Sequence, residues 1–162
     1  MSYLLKFNIL NENQFGFQQN KSTSHGILNL VHEINSSLKN KDFCTTIFLD
    51  LAKAFDTVDH CILLGKLEKL GIRGPLLHWF KSYLSHRYQC VSIDGVLSEP
   101  VLMKFGVPQG SVLGPLLFLI FINDITKVSN KFHYTLFADY TCITANQKTL
   151  ADLENLVKLS NG

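Results

Sequence analysis

The sequence predicts an α+β fold in which a small antiparallel sheet is packed by helices. Three observations carry that expectation. Short β-prone runs at residues 44–49, 88–93 and 101–105 are scattered among amphipathic helical segments rather than alternating regularly with them. Residues 132–137 and 142–144 are close enough to form a hairpin, with Asp139 at its tip. Several helical segments carry their own start and stop signals.

Taken in order, residues 1–12 have no clear pattern beyond a possible helix remnant, and Asn13 to Lys21 reads as extended and polar, with Gly16 allowing a close backbone approach. Ser22, Thr23 or Ser24 can cap a helix whose apolar stripe is Ile27, Val31, Ile34 and Leu38. Cys44 to Leu49 then reads as a largely buried strand that delivers Asp50 at its end. A helix over His60 to Leu70 is closed by Gly71. Gly74-Pro75 opens the next, to about Leu84, with proline at the tolerated first position. Tyr88 to Ile93 and Val101 to Phe105 form two strands joined through Asp94-Gly95, a turn signal. Ser111 can cap an apolar helix ending near Asn123, and Thr149 with Asp152 forms a capping pair for a last helix carrying Leu150, Leu153, Leu156 and Val157.

Composition narrows the function classes. Hydrophobic residues make up 46% of the 162 residues, which supports a core and argues against disorder. A net charge of +2 is too mild to argue for a nucleic-acid partner by itself. The four cysteines, Cys44, Cys61, Cys90 and Cys142, are scattered without a C-x-x-C pair and read as free thiols in a reducing compartment. The start, Met1 to Phe7, lacks the basic and apolar regions of a signal peptide. The longest apolar run, Leu116 to Ile122, is too short to span a bilayer. A soluble, intracellular protein with no membrane partner is the expectation, its compartment and oligomeric state being open.

Three segments carry unusual chemistry. In Phe48-Leu49-Asp50-Leu51-Ala52-Lys53-Ala54-Phe55-Asp56, a carboxylate at the end of a buried strand needs either a metal or a basic partner such as Lys53. Gly106-Val107-Pro108-Gln109-Gly110-Ser111 fixes a backbone that a flat group or a phosphate can approach, or is simply a loop before a helix. Leu136-Phe137-Ala138-Asp139-Tyr140 is either an ordinary turn or the delivery of a second carboxylate. Two strands that each end in Asp are one way to build a two-metal phosphoryl-transfer site.

Together and in this order, these segments resemble the reverse transcriptase domain of non-LTR (LINE-type) retrotransposons. Asn13-Gln14-Phe15-Gly16-Phe17 with Lys21-Ser22-Thr23 resembles the fingers motif, the segment from Phe48 to Val58 the first palm motif, Gly106 to Ser111 the second, and Leu136 to Asp139 the catalytic hairpin. The resemblance implies a right-hand polymerase fragment, with a fingers portion at 1–43 and palm at 44–162, lacking the primer grip and thumb. It implies RNA-directed DNA synthesis on an RNA template and DNA primer, with deoxynucleoside triphosphates as substrates. Asp50 and Asp139 would be the catalytic carboxylates, holding Mg²⁺ with the Leu51 carbonyl. Phe55 would select against a ribose 2′-hydroxyl, and Gln109 and Gly110 would line the nascent base pair. Lys53 would contact nucleotide phosphate, and Lys21 and Pro108 nucleic acid.

Two positions depart from the family pattern. Tyr140 stands where the hairpin usually has a second Asp, and a phenol is uncharged at neutral pH. A catalytic metal is worth several kcal/mol of transition-state stabilisation, and each ~1.4 kcal/mol is tenfold in rate. The expectation is therefore a loss of activity by orders of magnitude. Gln18 stands where the family usually has Arg, which removes a cationic fork suited to triphosphate. The alternative reading is a non-catalytic retroelement remnant with at most weak nucleic-acid binding. Exposed apolar faces around Phe118, Phe121 and Leu156 are expected to limit solubility in isolation.

Overall fold

The computed structural model describes residues 4, 6, 7 and 9–159. Met1, Ser2, Tyr3, Leu5 and Asn8 lie outside this set, so the reading of 1–12 as a helix remnant is met only in part, by helical Leu4 and Lys6. The fold is α+β and forms two compact units, one of residues 53–122 and one of residues 2–52 with 123–162.

The second of these units is built on a three-stranded antiparallel sheet. Strands β1 (Phe43–Asp50), β7 (Tyr140–Gln147) and β6 (His133–Phe137) lie in the order β1-β7-β6. The register runs from Phe43↔Gln147 to Asp50↔Tyr140 on one side of β7, and from His133↔Thr144 to Phe137↔Tyr140 on the other. Side chains alternate between the faces. One face therefore carries Phe48, Asp50, Tyr140, Cys142 and Thr135, and the other carries Thr141, Ala145 and Leu136. Helix α1 (Thr23–Lys39), capped by Ser22, covers the first face. There Asn29 donates from Nδ2 to Thr135 Oγ1 at 3.0 Å, and Glu33 pairs with His133 at 3.2 Å. The last helix, α5 (Leu150–Leu159), packs Leu153 and Leu156 on Ala145 of the second face. Its capping pair is as expected, with Asp152 N–H donating to Thr149 Oγ1 at 3.1 Å and that hydroxyl donating to Asp152 Oδ2 at 2.6 Å.

Thr141 in this sheet is 1% exposed, and among the described residues its Oγ1 has no hydrogen-bond partner. An unsatisfied buried hydroxyl carries its desolvation cost without return. Thr141→Val keeps the shape and removes that cost, so it is expected to stabilise the chain by about 1 kcal/mol. A rise in urea midpoint at unchanged slope is the check; a fall would show that the hydroxyl is satisfied in solution.

The other unit holds α2 (His60–Lys69), α3 (Pro75–Leu84) and α4 (Gly114–Ile122). Asp59 caps α2 by accepting from Ile62 N–H at 2.9 Å, and Gly71, at φ 88°, closes its C-terminal end. Leu63 and Leu67 of α2, Leu84 of α3 and Leu117 to Ile120 of α4 form its core. A helix this apolar on every side is expected to be central. Strands β2 (Arg87–Gln89) and β5 (Val101–Met103) pair as one ribbon, and β3 (Ser92–Ile93) pairs with β4 (Val96–Leu97) as another.

The structure corrects several expectations. Strand β1 has no buried residue, because it is the free edge of the sheet; Phe48 is 69% exposed and Asp50 is exposed too. The inward stripe of α1 is Gly26, Asn29, Leu30, Glu33, Ile34 and Ser37; of the expected stripe Ile34 faces in, while Ile27, Val31 and Leu38 are exposed. The expected strand over 88–93 is interrupted at Cys90-Val91, where Val91 exchanges hydrogen bonds with Ser98. Asp94 and Gly95, both at positive φ, close the β3–β4 hairpin. The apolar helix begins at Gly114 rather than beside Ser111, whose hydroxyl accepts from Gly114 N–H at 2.9 Å. Phe118 and Leu156 are buried, and exposed apolar side chains lie on α1, β1, the ribbons and α3 (Leu76 and Trp79), among other places. Among the described residues, no helix is long and apolar enough to cross a membrane.

Candidate active site

The hairpin β6–β7 turns through two residues, Ala138 and Asp139, between the paired Phe137 and Tyr140. Ala138 has φ 55°, a left-handed conformation that normally falls to glycine at this turn position. Asp139, half-buried, projects from the tip. Asp50 ends β1 directly opposite Tyr140, and Leu51 N–H donates to the Asp139 carbonyl at 3.4 Å. The two candidate carboxylates and Leu51 are thus gathered at one end of the sheet within one compact unit. Tyr140, cross-strand from Asp50, is 56% exposed. It belongs to an apolar cleft of about 260 Å³ with Gly26, Ile27, Phe48, Phe137 and Cys142. Burial among these groups pushes the Cys142 thiol above its ordinary pKa.

Behind the hairpin lies the polar segment at 13–21. Its backbone joins the free edge of β6: Leu136 N–H donates to Asn13 O at 2.8 Å, and Phe15 N–H donates to Leu136 O at 2.7 Å. Lys21, the candidate nucleic-acid contact, donates to the carbonyls of Glu12 at 2.5 Å and Gln14 at 2.9 Å and lies over the Phe15 ring. Desolvation lowers its pKa, opposed by the Glu12 carboxylate. Gln18 donates to Asn11 O at 3.3 Å. Both side chains border a polar cleft of about 620 Å³ with Glu12, Asn123 and Lys127.

The remaining candidate residues meet in the other unit. The turn after Lys53 (φ 54°) and the loop at 105–110 are knitted together, with Val107 N–H donating to Phe55 O and Gly106 N–H to Val58 O, both at 2.8 Å. Gly106 sits at φ 88°, and a Cβ there would stand 2.9 Å from Asp56 Cα, so only glycine fits. The Phe55 ring packs against that of Phe118, tilted by 31° with ring centres 4.6 Å apart. Gln109 donates from Nε2 to Asp56 Oδ1 at 2.8 Å, Gly110 is exposed at φ 77°, and the Pro108 carbonyl accepts from Ser111 Oγ at 2.7 Å. Lys53, Pro108 and Gln109 line a cleft of about 510 Å³ with Asp56, Arg87 and Tyr88. Sequence reasoning did not single out Asp56, Arg87 or Tyr88. A basic residue beside an aromatic on a short strand is the signal that was there to be used.

Comparison with known proteins shows the family. A family profile described as "Reverse transcriptase (RNA-dependent DNA polymerase)" matches residues 1–160. The chain belongs to the reverse transcriptase family. It is 40% identical over 125 residues to the probable RNA-directed DNA polymerase from transposon BS of Drosophila melanogaster, covering 77% of this chain and 14% of that protein. It is 34% identical over 145 residues to the RNA-directed DNA polymerase from mobile element jockey of the same species, covering 85% of this chain and 16% of that one. Both relatives are named for polymerases of mobile elements, and this reverse transcriptase chain spans only about a seventh of their length. In fold, it is similar to telomerase from Candida albicans, with a TM-score of 0.68 at 14% identity over 97% of this chain and 30% of that one.

The family works with divalent metal, and the donor set here can be tested for it. Asp50 and Asp139 present carboxylates at one end of the sheet and Leu51 adds a main-chain carbonyl, an all-oxygen set that suits a hard cation completed by water. Among the described residues, no group of three or more acidic, His or Cys side chains is placed to hold a metal ion, and the residue paired with Asp50 is the uncharged Tyr140. The residues fit a hard divalent cation in donor type, at a reduced ligand charge.

Proposed function

We propose that this domain is an RNA-directed DNA polymerase domain whose nucleotidyl-transfer site is impaired by Tyr140. Its substrates are an RNA template, a DNA primer and deoxynucleoside triphosphates. The observation that carries this reading is the register of the sheet, which puts Asp50 opposite Tyr140 with Asp139 at the adjoining tip. Asp50 and Asp139, with the Leu51 carbonyl, would hold Mg²⁺. Bound there, the cation would supply activation of the primer hydroxyl and neutralisation of charge developing on phosphate.

The chain's own groups do the rest. Lys53 and Arg87 border the cleft of the other unit and offer cationic contacts to nucleotide phosphates. Gln109, held by Asp56, and Gly110, which has open space where a Cβ would be, let a base pair lie close to the backbone. Phe55, whose ring packs against that of Phe118, would exclude a 2′-hydroxyl. Lys21 and Pro108 are assigned to nucleic-acid contact, and Gln18 is a neutral side chain where a cation would serve triphosphate better. We assign residues 1–43 to the fingers and 44–162 to the palm.

Tyr140 favours a second reading, a domain that has lost catalysis and retains at most weak nucleic-acid binding. Primer extension on an RNA template with Mg²⁺ separates the two. Slow extension that disappears in Asp50→Asn is the expected result. No extension by the chain or by its Tyr140→Asp variant would favour the second reading.

A further inference from the structure

The turn that carries Asp139 is held in a conformation its own residues do not favour. Ala138 sits at φ 55°, a region that alanine disfavours. Such a conformation persists only when its surroundings impose it. Here the pairing of Phe137 with Tyr140 sets the reversal, and one side chain from outside the hairpin bonds its tip. Gln14, 3% exposed, accepts at Oε1 from Ala138 N–H at 2.9 Å and from Gly16 N–H at 2.8 Å. Its Nε2 faces the Ala138 carbonyl at a long 3.5 Å. The backbone around Gln14 is itself fixed, through bonds of Asn13 and Phe15 to Leu136 and of Lys21 to the Gln14 carbonyl.

We infer that Gln14 is a positioning residue for Asp139, a clamp that holds the hairpin tip in the left-handed turn from which the carboxylate is presented. This rests on the reading of Asp139 as a ligand. Gln14 does not touch a reacting atom; it acts through the Ala138 backbone. The same bonds give Lys21 a job distinct from contacting nucleic acid, since it staples the segment that delivers the clamp.

The clamp predicts a rescue that a purely structural glutamine would not show. Glycine adopts positive φ without strain, so Ala138→Gly lets the tip keep its turn with no clamp. In the unaltered chain, Mn²⁺ followed by electron paramagnetic resonance serves as the probe. Gln14→Leu is expected to weaken Mn²⁺ binding about tenfold, as loss of a residue orienting a metal ligand does. Adding Ala138→Gly should recover most of that loss. Leu153→Ala, which removes core from the same unit on the opposite face, should leave affinity within about twofold. Equal losses in Gln14→Leu and Leu153→Ala, or no recovery with Ala138→Gly, would overturn the clamp.

Amide exchange separates this from a failure of the metal reading. If Asp50→Asn and Asp139→Asn leave Mn²⁺ binding unchanged, the carboxylates are not a metal site, and exchange at Ala138 alone decides the clamp. That amide should exchange about tenfold faster in Gln14→Leu than in Leu153→Ala, one buried hydrogen bond's worth. Gln14→Glu keeps the acceptor oxygen and should retain protection at Ala138. Unprotected exchange in Gln14→Glu, or equal exchange in the other two, would contradict the assignment.

Discussion

Tyr140→Asp is expected to raise Mg²⁺-dependent primer extension by about 100-fold or more. The magnitude follows from restoring an anionic ligand where a metal contributes several kcal/mol to the transition state, at ~1.4 kcal/mol per tenfold in rate. The position tolerates the change: Tyr140 is 56% exposed, so the new carboxylate stays in water and leaves no buried charge behind. Register adds a second signature. Residue 140 lies directly across from Asp50, and like charges in that relation repel by a few tenths to about 1 kcal/mol. The variant should therefore melt lower than the unaltered chain without divalent cation, and gain more on adding Mg²⁺. Cation-dependent melting identical to that of the unaltered chain would mean that residue 140 does not adjoin the metal.

Gly16→Ala is expected to destabilise the chain by about 3 kcal/mol, near the upper end for overpacking, and to lower Tm by roughly 10 °C. A Cβ at this position would stand 2.3 Å from Ala138 N and 3.0 Å from both Ala138 Cα and Phe137 C. All three are backbone atoms of the hairpin tip, so no side-chain rotation relieves the clash. Either the 13–16 segment leaves the β6 edge or the hairpin moves, and each breaks the bonds that Gln14 makes. A thermal melt within about 2 °C of the unaltered chain would show that the close approach does not exist in solution.

Why the hairpin was legible in the sequence, and the clamp was not, comes down to the range of the forces. Phe137-Ala138-Asp139-Tyr140 sits between two β-prone runs, so pairing and alternation place Asp139 at the tip from local signals alone. The helices at His60 and Leu150 likewise carry their own caps, and Pro75 marks the first position of its own helix. Gln14 could be quoted within a motif, but its partner lies 124 residues away and is a backbone amide, which leaves no mark in the sequence. The exposure of Asp50 depended on β1 being the sheet edge, a fact of strand order. The inward face of α1 was misplaced for a related reason. Hydrophobic periodicity chose Ile27 and Val31, whereas the contacts of Asn29 with Thr135, of Glu33 with His133 and of Gly26 with Phe15 decide which side meets the sheet. The cleft beside Gln109 combines Arg87 and Tyr88 with a loop about 20 residues on, and required the pairing of β2 with β5 to be seen.

The central claim is that Asp50 and Asp139 form a divalent-cation site weakened by the phenol at 140. A Mn²⁺ titration read by electron paramagnetic resonance tests it without requiring any turnover. The unaltered chain is expected to bind weakly, Asp139→Asn to lose that binding, and Tyr140→Asp to bind tighter by about tenfold or more, because added ligand charge tightens an oxygen site. Binding that survives Asp139→Asn, or an affinity unmoved by Tyr140→Asp, would contradict it.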